Sequence, residues 1–318
     1  MSTLDVESAN LLNGSKFKDP DVTADGSMRA AVSLRRLQTL WFNTGTLCNL
    51  TCADCYIESS PSNDRLVYLT RDEVRKYLTE IEDWSPAVRE IGFTGGEPFM
   101  NPDIIGMIED SLENGHAVLV LTNAMRPMMK CADGLADLNT RWPGRLTIRV
   151  SLDHYTRPLH ELARGAHSWD PAWIGLRWLR DEGFTVDIAG RTCWSESEAQ
   201  LRAEFGRLFA AEKLTVDARD AARLVLFPEM DADADTPEIT TACWDILNVE
   251  PAAMMCASSR MIIKRKGAAT PVVAPCTLLP YEEGLEMGVT LKEASGAVKL
   301  NHPHCSAFCV LGGGSCSQ

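Results

Sequence analysis

The sequence predicts an α/β protein: a partial (β/α)6 TIM barrel followed by a small cysteine-rich C-terminal extension. Apolar, β-branched runs alternate with segments of helical periodicity across residues 37–230, as in parallel strands joined by helical crossovers. The alternation supplies six units, whereas a closed TIM barrel has eight, so we expect an open barrel. The extension is indicated by cysteine usage, because more than half of the eleven cysteines lie within residues 231–318.

Composition and charge narrow the classes of partner. Residues 1–36 are polar and mixed, and we interpret them as a flexible lead-in. The net charge of −13 disfavours nucleic acid and anionic membrane surfaces as partners. No run approaches the roughly 20 apolar residues of a membrane-spanning helix, and the first residues lack the apolar region of a signal peptide. We therefore expect a cytoplasmic protein, in which cysteines serve as metal ligands more often than as disulfides.

Six apolar runs are predicted as the parallel strands. Each is rich in β-branched residues and is followed by glycine or polar residues. In chain order they are residues 37–43, 89–98, 117–123, 145–153, 184–192 and 222–230. Functional residues are expected where these strands end, because the carboxyl ends of barrel strands share one face.

Helices are predicted between the strands. Their segments are residues 70–84, 101–116, 171–183 and 195–212. The first begins with a capping box, Thr70 and Glu73, and carries apolar residues at helical spacing. A second capping box, Ser195 with Glu198, is predicted to start the last of these helices.

Three cysteines, Cys48, Cys52 and Cys55, follow the first strand within eight positions. A loop this short can direct three thiolates at one compact metal centre. A fourth thiolate would close a zinc or iron–sulfur site, whereas three leave one metal position open, as a substrate-binding centre requires. The alternative is a structural zinc loop completed by a distant ligand.

The cysteine loop and the segment GGEP together resemble the radical S-adenosylmethionine (SAM) superfamily. The resemblance rests on C-x3-C-x2-C with Tyr56 after the last cysteine, and on GGEP, residues 95–98, ending the second strand. It covers about residues 37–230. It implies a [4Fe–4S] cluster on Cys48, Cys52 and Cys55, whose fourth iron chelates SAM. Reductive cleavage of SAM would give a 5′-deoxyadenosyl radical that abstracts hydrogen from the substrate.

The resemblance also implies residues that contact SAM. Tyr56 would lie near the adenine, and GGEP would present backbone groups and Glu97 to the SAM amino group. The GGEP residues implied as contacts are Gly95, Gly96, Glu97 and Pro98. Each has a structural alternative, since GGEP can be only a turn and Glu97 only a surface acid.

Further contacts are implied where later strands end. Ser151 and Asp153 match a position that contacts the ribose and carboxylate, although His154 replaces the glycine often found there. Arg164 matches a frequent arginine that reaches the SAM carboxylate. Additional candidates are Thr122, Asn123, Arg191, Leu226 and Phe227. The alternatives are a capping role for Asp153 and surface ion pairs for the two arginines.

The cysteines of the extension resemble the SPASM and twitch subfamilies, which carry auxiliary iron–sulfur clusters. Residues 256–276 form a predicted hairpin with a turn at Gly267, and a Gly-rich segment with three cysteines follows. The full SPASM pattern has seven cysteines, whereas six lie here, so one auxiliary [4Fe–4S] cluster is implied. The implied ligands are Cys256 and Cys276, with two of Cys305, Cys309 and Cys316, and Cys243 in reserve. A structural zinc site is the alternative.

These expectations combine into a radical SAM oxidoreductase whose auxiliary cluster accepts an electron from the substrate. The resemblance implies an external electron donor such as flavodoxin or ferredoxin. The substrate is a small molecule or a peptide, with small molecules favoured because only about 36 polar residues precede the barrel. The alternatives are a redox-neutral epimerase or isomerase, with Cys193 returning a hydrogen atom, and a non-catalytic iron–sulfur or zinc scaffold.

Overall fold

The fold is built on one eight-stranded, mostly parallel sheet. The structure, a computed structural model, describes residues 16–84, 87–228 and 234–313. Along this sheet the six predicted barrel strands lie in chain order, each beside the next, and two strands of the extension continue the sheet beyond the first of them. This order, with parallel pairing throughout the six, confirms the predicted α/β class.

The six predicted barrel strands are confirmed. Their bounds are β2 Thr39–Asn43, β3 Glu90–Thr94, β4 Ala117–Thr122, β5 Leu146–Ser151, β6 Thr185–Arg191 and β7 Leu224–Phe227. Each is shorter than the apolar run that predicts it, because the polar residues at the ends of the runs belong to the loops. Those loop residues carry most of the predicted site.

Helices follow most of these strands. They are α1 Arg71–Trp84, α2 Ile104–Glu113, α3 Arg126–Met129, α4 Ala132–Arg141, α5 Arg157–Arg164, α6 Trp169–Asp181, α7 Glu198–Ala211 and α8 Cys243–Leu247. The capping box of α1 is confirmed, because the Thr70 N–H donates to Glu73 Oε2 at 2.9 Å and the Glu73 N–H donates to Thr70 Oγ1 at 3.3 Å. None of the helices in the described residues is long and apolar enough to cross a membrane.

The predicted capping box of α7 is wrong by two residues. Ser197, not Ser195, is the N-cap, and its side chain accepts a hydrogen bond from the Gln200 N–H while the Gln200 side chain accepts one from the Ser197 N–H. The sequence SESEAQ fits the capping pattern in both registers, since Glu and Gln are both suitable partners. The helix starts at Glu198, which cannot then serve as the third helical residue.

The predicted hairpin of the extension is confirmed and joins the barrel sheet. Strands β8 Ser259–Ile263 and β9 Val272–Ala274 are antiparallel, and β8 also pairs in parallel with β2. The sequence alone does not predict that pairing. As a result, the extension continues the sheet beyond the first barrel strand.

Part of the predicted flexible lead-in is packed against the extension. Strand β1, Ala31–Val32, pairs with β10, Val298–Lys299, in a separate two-stranded sheet. Arg29 is buried beside it and forms an ion pair with Glu238. These residues differ from the prediction because Ala30 and Val32 place apolar side chains in the core.

Two apolar clusters occupy the two faces of the sheet. Phe42, Phe93 and Val120 point to one face and pack with Leu78 and Ile108 of helices α1 and α2. The second cluster joins the opposite face, including Trp41 and Leu119, to the extension, and it contains several of the C-terminal cysteines. The extension is therefore attached to the barrel through a shared core.

We predict that Ser197→Ala lowers the free energy of unfolding by about 1 kcal/mol, because helix α7 loses the acceptor for one N-terminal N–H. Ser195→Ala is the matched control and should change it by less than about 0.5 kcal/mol. Urea denaturation of both variants measures the difference. Equal losses in the two variants would contradict the observed cap.

Candidate active site

A cavity of about 170 Å³ opens where the barrel strands end. Most of the predicted site residues line it. They are Cys48, Cys52, Cys55, Tyr56, Gly95, Gly96, Thr122, Asn123, Ser151, Asp153, Arg164, Arg191 and Phe227. Residues separated by more than 170 positions thus share one site, as expected for the carboxyl ends of neighbouring parallel strands.

The cysteine loop is held by backbone contacts with the segment that follows β3. The Gly96 N–H donates to the Gly45 carbonyl at 2.8 Å, and the Glu97 N–H donates to the Leu47 carbonyl at 3.1 Å. A Cβ at Gly96 would lie 2.3 Å from the Leu47 oxygen, and Gly95 has a φ of +136°. Only glycine allows this approach, so the two glycines fix the loop directly before Cys48.

The three loop thiols face backbone donors and an arginine. The Leu50 N–H donates to Cys48 Sγ at 3.4 Å, and the Ser59 N–H donates to Cys55 Sγ at 3.3 Å. Burial raises the pKa of Cys48 to about 12. Burial also raises the pKa of Cys52, and the nearby Arg164 guanidinium opposes that shift. Thiols with raised pKa values become thiolates when a metal replaces their protons, and the donors then stabilise the bound sulfurs.

Two arginines connect the cysteine loop to the opposite wall. Arg164, at the end of α5, pairs with Asp153, with 2.9 Å between Nε and Oδ2 and 3.1 Å between Nη2 and Oδ1. Arg191, at the end of β6, pairs with the Asp54 carboxylate at 3.2 Å and donates to the Asp54 carbonyl at 2.7 Å. Both arginines line the cavity, but each is also engaged with an aspartate of the chain.

The structure gives Glu97 and Pro98 a different place from the predicted one. Among the described residues that line the cavity, neither is present. Glu97 lies behind the wall, where it accepts hydrogen bonds from the Thr122 hydroxyl at 2.8 Å and from the Asn123 N–H at 2.9 Å. It also accepts one from the Phe99 N–H. Burial raises the pKa of Glu97 to about 7. Glu97 therefore joins the ends of β3 and β4.

His154, the departure from the family pattern, points away from the cavity. Its ring nitrogens contact the Thr156 hydroxyl at 2.9 Å and the Glu196 carboxylate at 3.0 Å. Tyr155 also donates to the Glu196 carboxylate. The two aromatic residues thus attach the loop after β6 to the loop after β5.

Several residues that line the cavity were not predicted, among them Arg149, Leu278 and Phe308. Arg149 lies two positions before Ser151, and it pairs with Asp187 at 3.5 Å. The two-residue period of a strand places Arg149 and Ser151 on one face, so this residue could have been found from the pattern. Leu278 and Phe308 come from the extension. No local signal in the sequence predicts their contribution.

Four cysteines of the extension meet at a second, smaller cavity of about 20 Å³ with apolar walls. They are Cys256, Cys276, Cys305 and Cys309. Burial raises the pKa of Cys256 to about 11. Burial and the neighbouring thiols also raise the pKa of Cys305 well above its usual value. Three of these thiols are buried and Cys309 is partly buried, and such a set fits a centre that ligates all four as thiolates.

The other two cysteines of the extension differ in position. Cys243 does not line this cavity, and its sulfur accepts a hydrogen bond from the Thr240 N–H at 3.4 Å. Cys316 lies outside the described residues. No group of three or more His, Cys, Asp or Glu side chains in the described ranges is arranged to hold a single metal ion.

One wall separates the two cavities. Leu278 lines both, and Phe308 lines the larger one while its helical neighbours Cys305 and Cys309 line the smaller. The Phe308 ring stacks on Phe227 with 5.6 Å between ring centroids. The two groups of cysteines are thus neighbours across two apolar side chains.

Comparison with known proteins assigns one stretch of the chain to a family. The sequence model described as Radical SAM superfamily matches residues 42–193, which contain the cysteine loop, GGEP and both arginines of the site. The chain therefore carries a radical SAM domain at residues 42–193. Its expected cofactors, a [4Fe–4S] cluster and SAM, are those of this family, and the thiols and cavity described above fit them.

Several curated proteins resemble part of the radical SAM chain. The Bacillus subtilis (strain 168) protein named antilisterial bacteriocin subtilosin biosynthesis protein AlbA is 28% identical over 177 residues, 55% of this chain and 37% of its own. A probable GTP 3′,8-cyclase of Methanopyrus kandleri is 29% identical over 160 residues, 50% of this chain and 48% of its own. Mycofactocin maturase MftC of Mycobacterium tuberculosis is 29% identical over 137 residues, 43% of this chain and 33% of its own. The chain thus spans about half or less of these relatives.

Solved structures share the radical SAM fold. Streptococcus suis SuiB bound to S-adenosylmethionine superposes with a TM-score of 0.59 at 14% identity, covering 80% of this chain and 63% of that chain. anSMEcpe with bound AdoMet also gives 0.59, at 13% identity, covering 81% of this chain and 77% of that chain. Such coverage exceeds what residues 42–193 alone could supply, so the likeness in fold includes part of the extension.

We predict that Glu97→Gln removes part of the pH dependence of stability in the metal-free chain. The folded pKa of about 7 exceeds the ordinary value of 4.5, so the folded chain retains a proton that the unfolded chain has lost in this range. The free energy of unfolding should therefore fall as pH rises from about 4.5 to 7. Denaturation across this range measures the slope.

The matched control for this experiment is Glu113→Gln, which alters an exposed carboxylate. It should retain the slope of the unsubstituted chain. A slope in Glu97→Gln equal to that of the control would show that Glu97 does not hold the proton.

Proposed function

We propose that the chain cleaves SAM reductively at a [4Fe–4S] cluster held by Cys48, Cys52 and Cys55, and abstracts hydrogen from an organic substrate. The observation that carries this proposal is the meeting of the three loop thiols, the GGEP glycines and the Asp153–Arg164 pair at one cavity. A non-catalytic scaffold has no use for a ligand set that leaves one metal position open next to a cavity.

The cysteine loop would bind the cluster through three thiolates and leave its fourth position facing the cavity. Backbone N–H groups of Leu50 and Ser59 would stabilise the sulfur charge, as they already contact Cys48 and Cys55. When bound, the cluster would supply the electron for reductive cleavage of the sulfonium C–S bond of SAM.

Residues around the cavity would bind and orient SAM. The GGEP backbone at Gly95 and Gly96 forms the wall beside the cysteines, where a side chain would block approach. Tyr56 and Phe227 offer aromatic surface for the adenine. The polar contacts would come from Asn123, Ser151, Asp153, Arg164 and Arg191. Glu97 would act indirectly, by fixing the Asn123 backbone.

The second group of cysteines would hold an auxiliary [4Fe–4S] cluster. Cys305 and Cys309 would be the two further ligands, because they line the small cavity together with Cys256 and Cys276. Four ligands leave no iron open for the substrate, which favours electron acceptance over ligation. The Leu278 and Phe308 wall would also exclude the substrate from direct contact. We therefore propose an oxidation, with a structural zinc site as the alternative.

A peptide is the substrate class that the relatives favour. The similar proteins include a bacteriocin biosynthesis protein and a mycofactocin maturase, and one similar structure is SuiB bound to precursor peptide SuiA, with a TM-score of 0.51 at 17% identity. The relatives therefore favour a peptide substrate, whereas the sequence alone favours a small molecule. The similarity to a GTP 3′,8-cyclase keeps a small molecule as the second candidate. An external electron donor such as flavodoxin or ferredoxin would supply the reducing electron.

The redox-neutral alternative has less support from the geometry. It assigns to Cys193 the return of a hydrogen atom to the substrate radical. Among the described residues that line the larger cavity, Cys193 is not present. An oxidation therefore fits the arrangement of the thiols better than an epimerisation.

We predict about eight irons per chain after anaerobic reconstitution. The triple variant Cys48→Ala, Cys52→Ala, Cys55→Ala should retain about four and lose SAM cleavage, because only the auxiliary cluster remains. The double variant Cys256→Ala, Cys276→Ala should also retain about four irons but still cleave SAM. Iron and sulfide analysis, with 5′-deoxyadenosine detected after reduction, measures both.

Cys131→Ala is the matched control, since Cys131 lies outside both cavities in the described residues. It should keep all the iron. Zinc in place of iron in the triple variant would show that the extension holds a structural zinc site. SAM cleavage by that variant would refute the proposed function.

A further inference from the structure

Three arginines are buried in the described residues, and one of them, Arg260, has no carboxylate partner there. Arg29 pairs with Glu238 and Arg149 pairs with Asp187. Arg260, in β8, is only 1% exposed, yet no carboxylate oxygen of the described chain lies within 4 Å of its guanidinium nitrogens. A buried cation without an opposite charge is costly, so this exception requires an explanation.

Neutral carbonyl groups satisfy the hydrogen-bonding capacity of Arg260. Its Nη1 donates to the Cys256 carbonyl at 2.6 Å and to the Ser259 carbonyl at 2.7 Å. Its Nε donates to the Ala294 carbonyl at 2.9 Å, and Nη2 donates to the Gly296 carbonyl at 3.0 Å. These bonds compensate for lost hydration of the N–H groups but supply no negative charge.

Arg260 lies beside the cysteines of the small cavity, because its Nη1 donates to the carbonyl of Cys256, one of the four. Burial lowers the pKa of the Arg260 guanidinium, and Cys256 and Cys276 are the groups that oppose this shift. Both thiols line the cavity of four cysteines, and Cys256 also offers its carbonyl to the arginine. The missing negative charge can therefore come from a centre that holds these sulfurs as thiolates.

We propose that Arg260 is the buried counter-ion of an anionic, thiolate-ligated metal centre in the extension. This inference rests on the proposed function of the four cysteines. An iron–sulfur cluster or a zinc ion held by four thiolates carries a net negative charge, and each would be stabilised by the guanidinium. For a cluster, a nearby positive charge favours the reduced state, so Arg260 would also raise its reduction potential and assist electron acceptance.

The test compares Arg260→Gln with the unsubstituted full-length chain, each loaded with metal and stripped by a chelator. Glutamine keeps part of the hydrogen bonding but removes the charge. We expect Arg260→Gln to lower the melting temperature more in the loaded chain than in the stripped chain. We also expect a more negative midpoint potential for the auxiliary cluster in an EPR redox titration. Arg260→Lys keeps the positive charge, so its melting temperature and midpoint potential should lie close to those of the unsubstituted chain.

Arg29→Gln is the matched control, because this buried arginine has its own carboxylate. Arg29→Gln should lower the melting temperature by the same amount in the metal-loaded and in the stripped chain. Equal losses for Arg260→Gln in both states, or an unchanged potential at full metal content, would overturn the inference. So would failure of Arg260→Gln to fold in either state. An Arg260→Gln chain that folds but no longer retains metal in the extension would support it.

Failure of the proposed function would look different in the same experiment. In that case the unsubstituted extension would bind no metal, as shown by the metal content of the triple variant at Cys48, Cys52 and Cys55. If the extension binds metal and Arg260 has no effect on it, only the inference about Arg260 fails.

Discussion

The site depends on one backbone contact between two loops. Gly95 and Gly96 approach the carbonyls of Gly45 and Leu47 so closely that any side chain would collide with them. This contact holds the start of the cysteine loop against the end of β3, and Glu97 extends it to the end of β4. Three thiols on a loop of this length could adopt many arrangements. The contact removes that freedom before a cofactor binds, which reduces the entropic cost of binding.

The extension is built onto the same sheet as the cysteine loop. Strand β8 lies beside β2, so the sheet that positions the cysteine loop also positions the hairpin of the extension. The apolar cluster on that face contains Cys256, Cys276 and Cys305, and it is completed by barrel residues such as Trp41. Leu278 lines both cavities and Phe308 lines the larger one, so these apolar side chains lie between the two groups of thiols. Such proximity suits electron transfer between a substrate and an auxiliary cluster, provided that both sites bind the metals proposed for them.

Much of this arrangement could be predicted from the sequence. The barrel strands follow from apolar runs, and the cysteine loop and GGEP follow from spacing and context. The start of α7 could not be fixed, because Ser195 and Ser197 both fit the capping pattern, and only the structure shows the reciprocal bonds of Ser197 and Gln200. Arg260 carries no local signal, since its importance comes from the absence of a nearby acid in three dimensions. The same holds for Phe308, whose contact with Phe227 joins residues far apart in the chain.

The most direct test of the central claim is the effect of SAM on the barrel cluster alone. The Cys256→Ala, Cys276→Ala variant, reconstituted and reduced anaerobically, should show the EPR spectrum of a single reduced [4Fe–4S] cluster. The proposed ligation by three thiolates would leave one iron open to the cavity, so added SAM should bind there and change the g-values of that spectrum. An identical spectrum with and without saturating SAM would contradict the account.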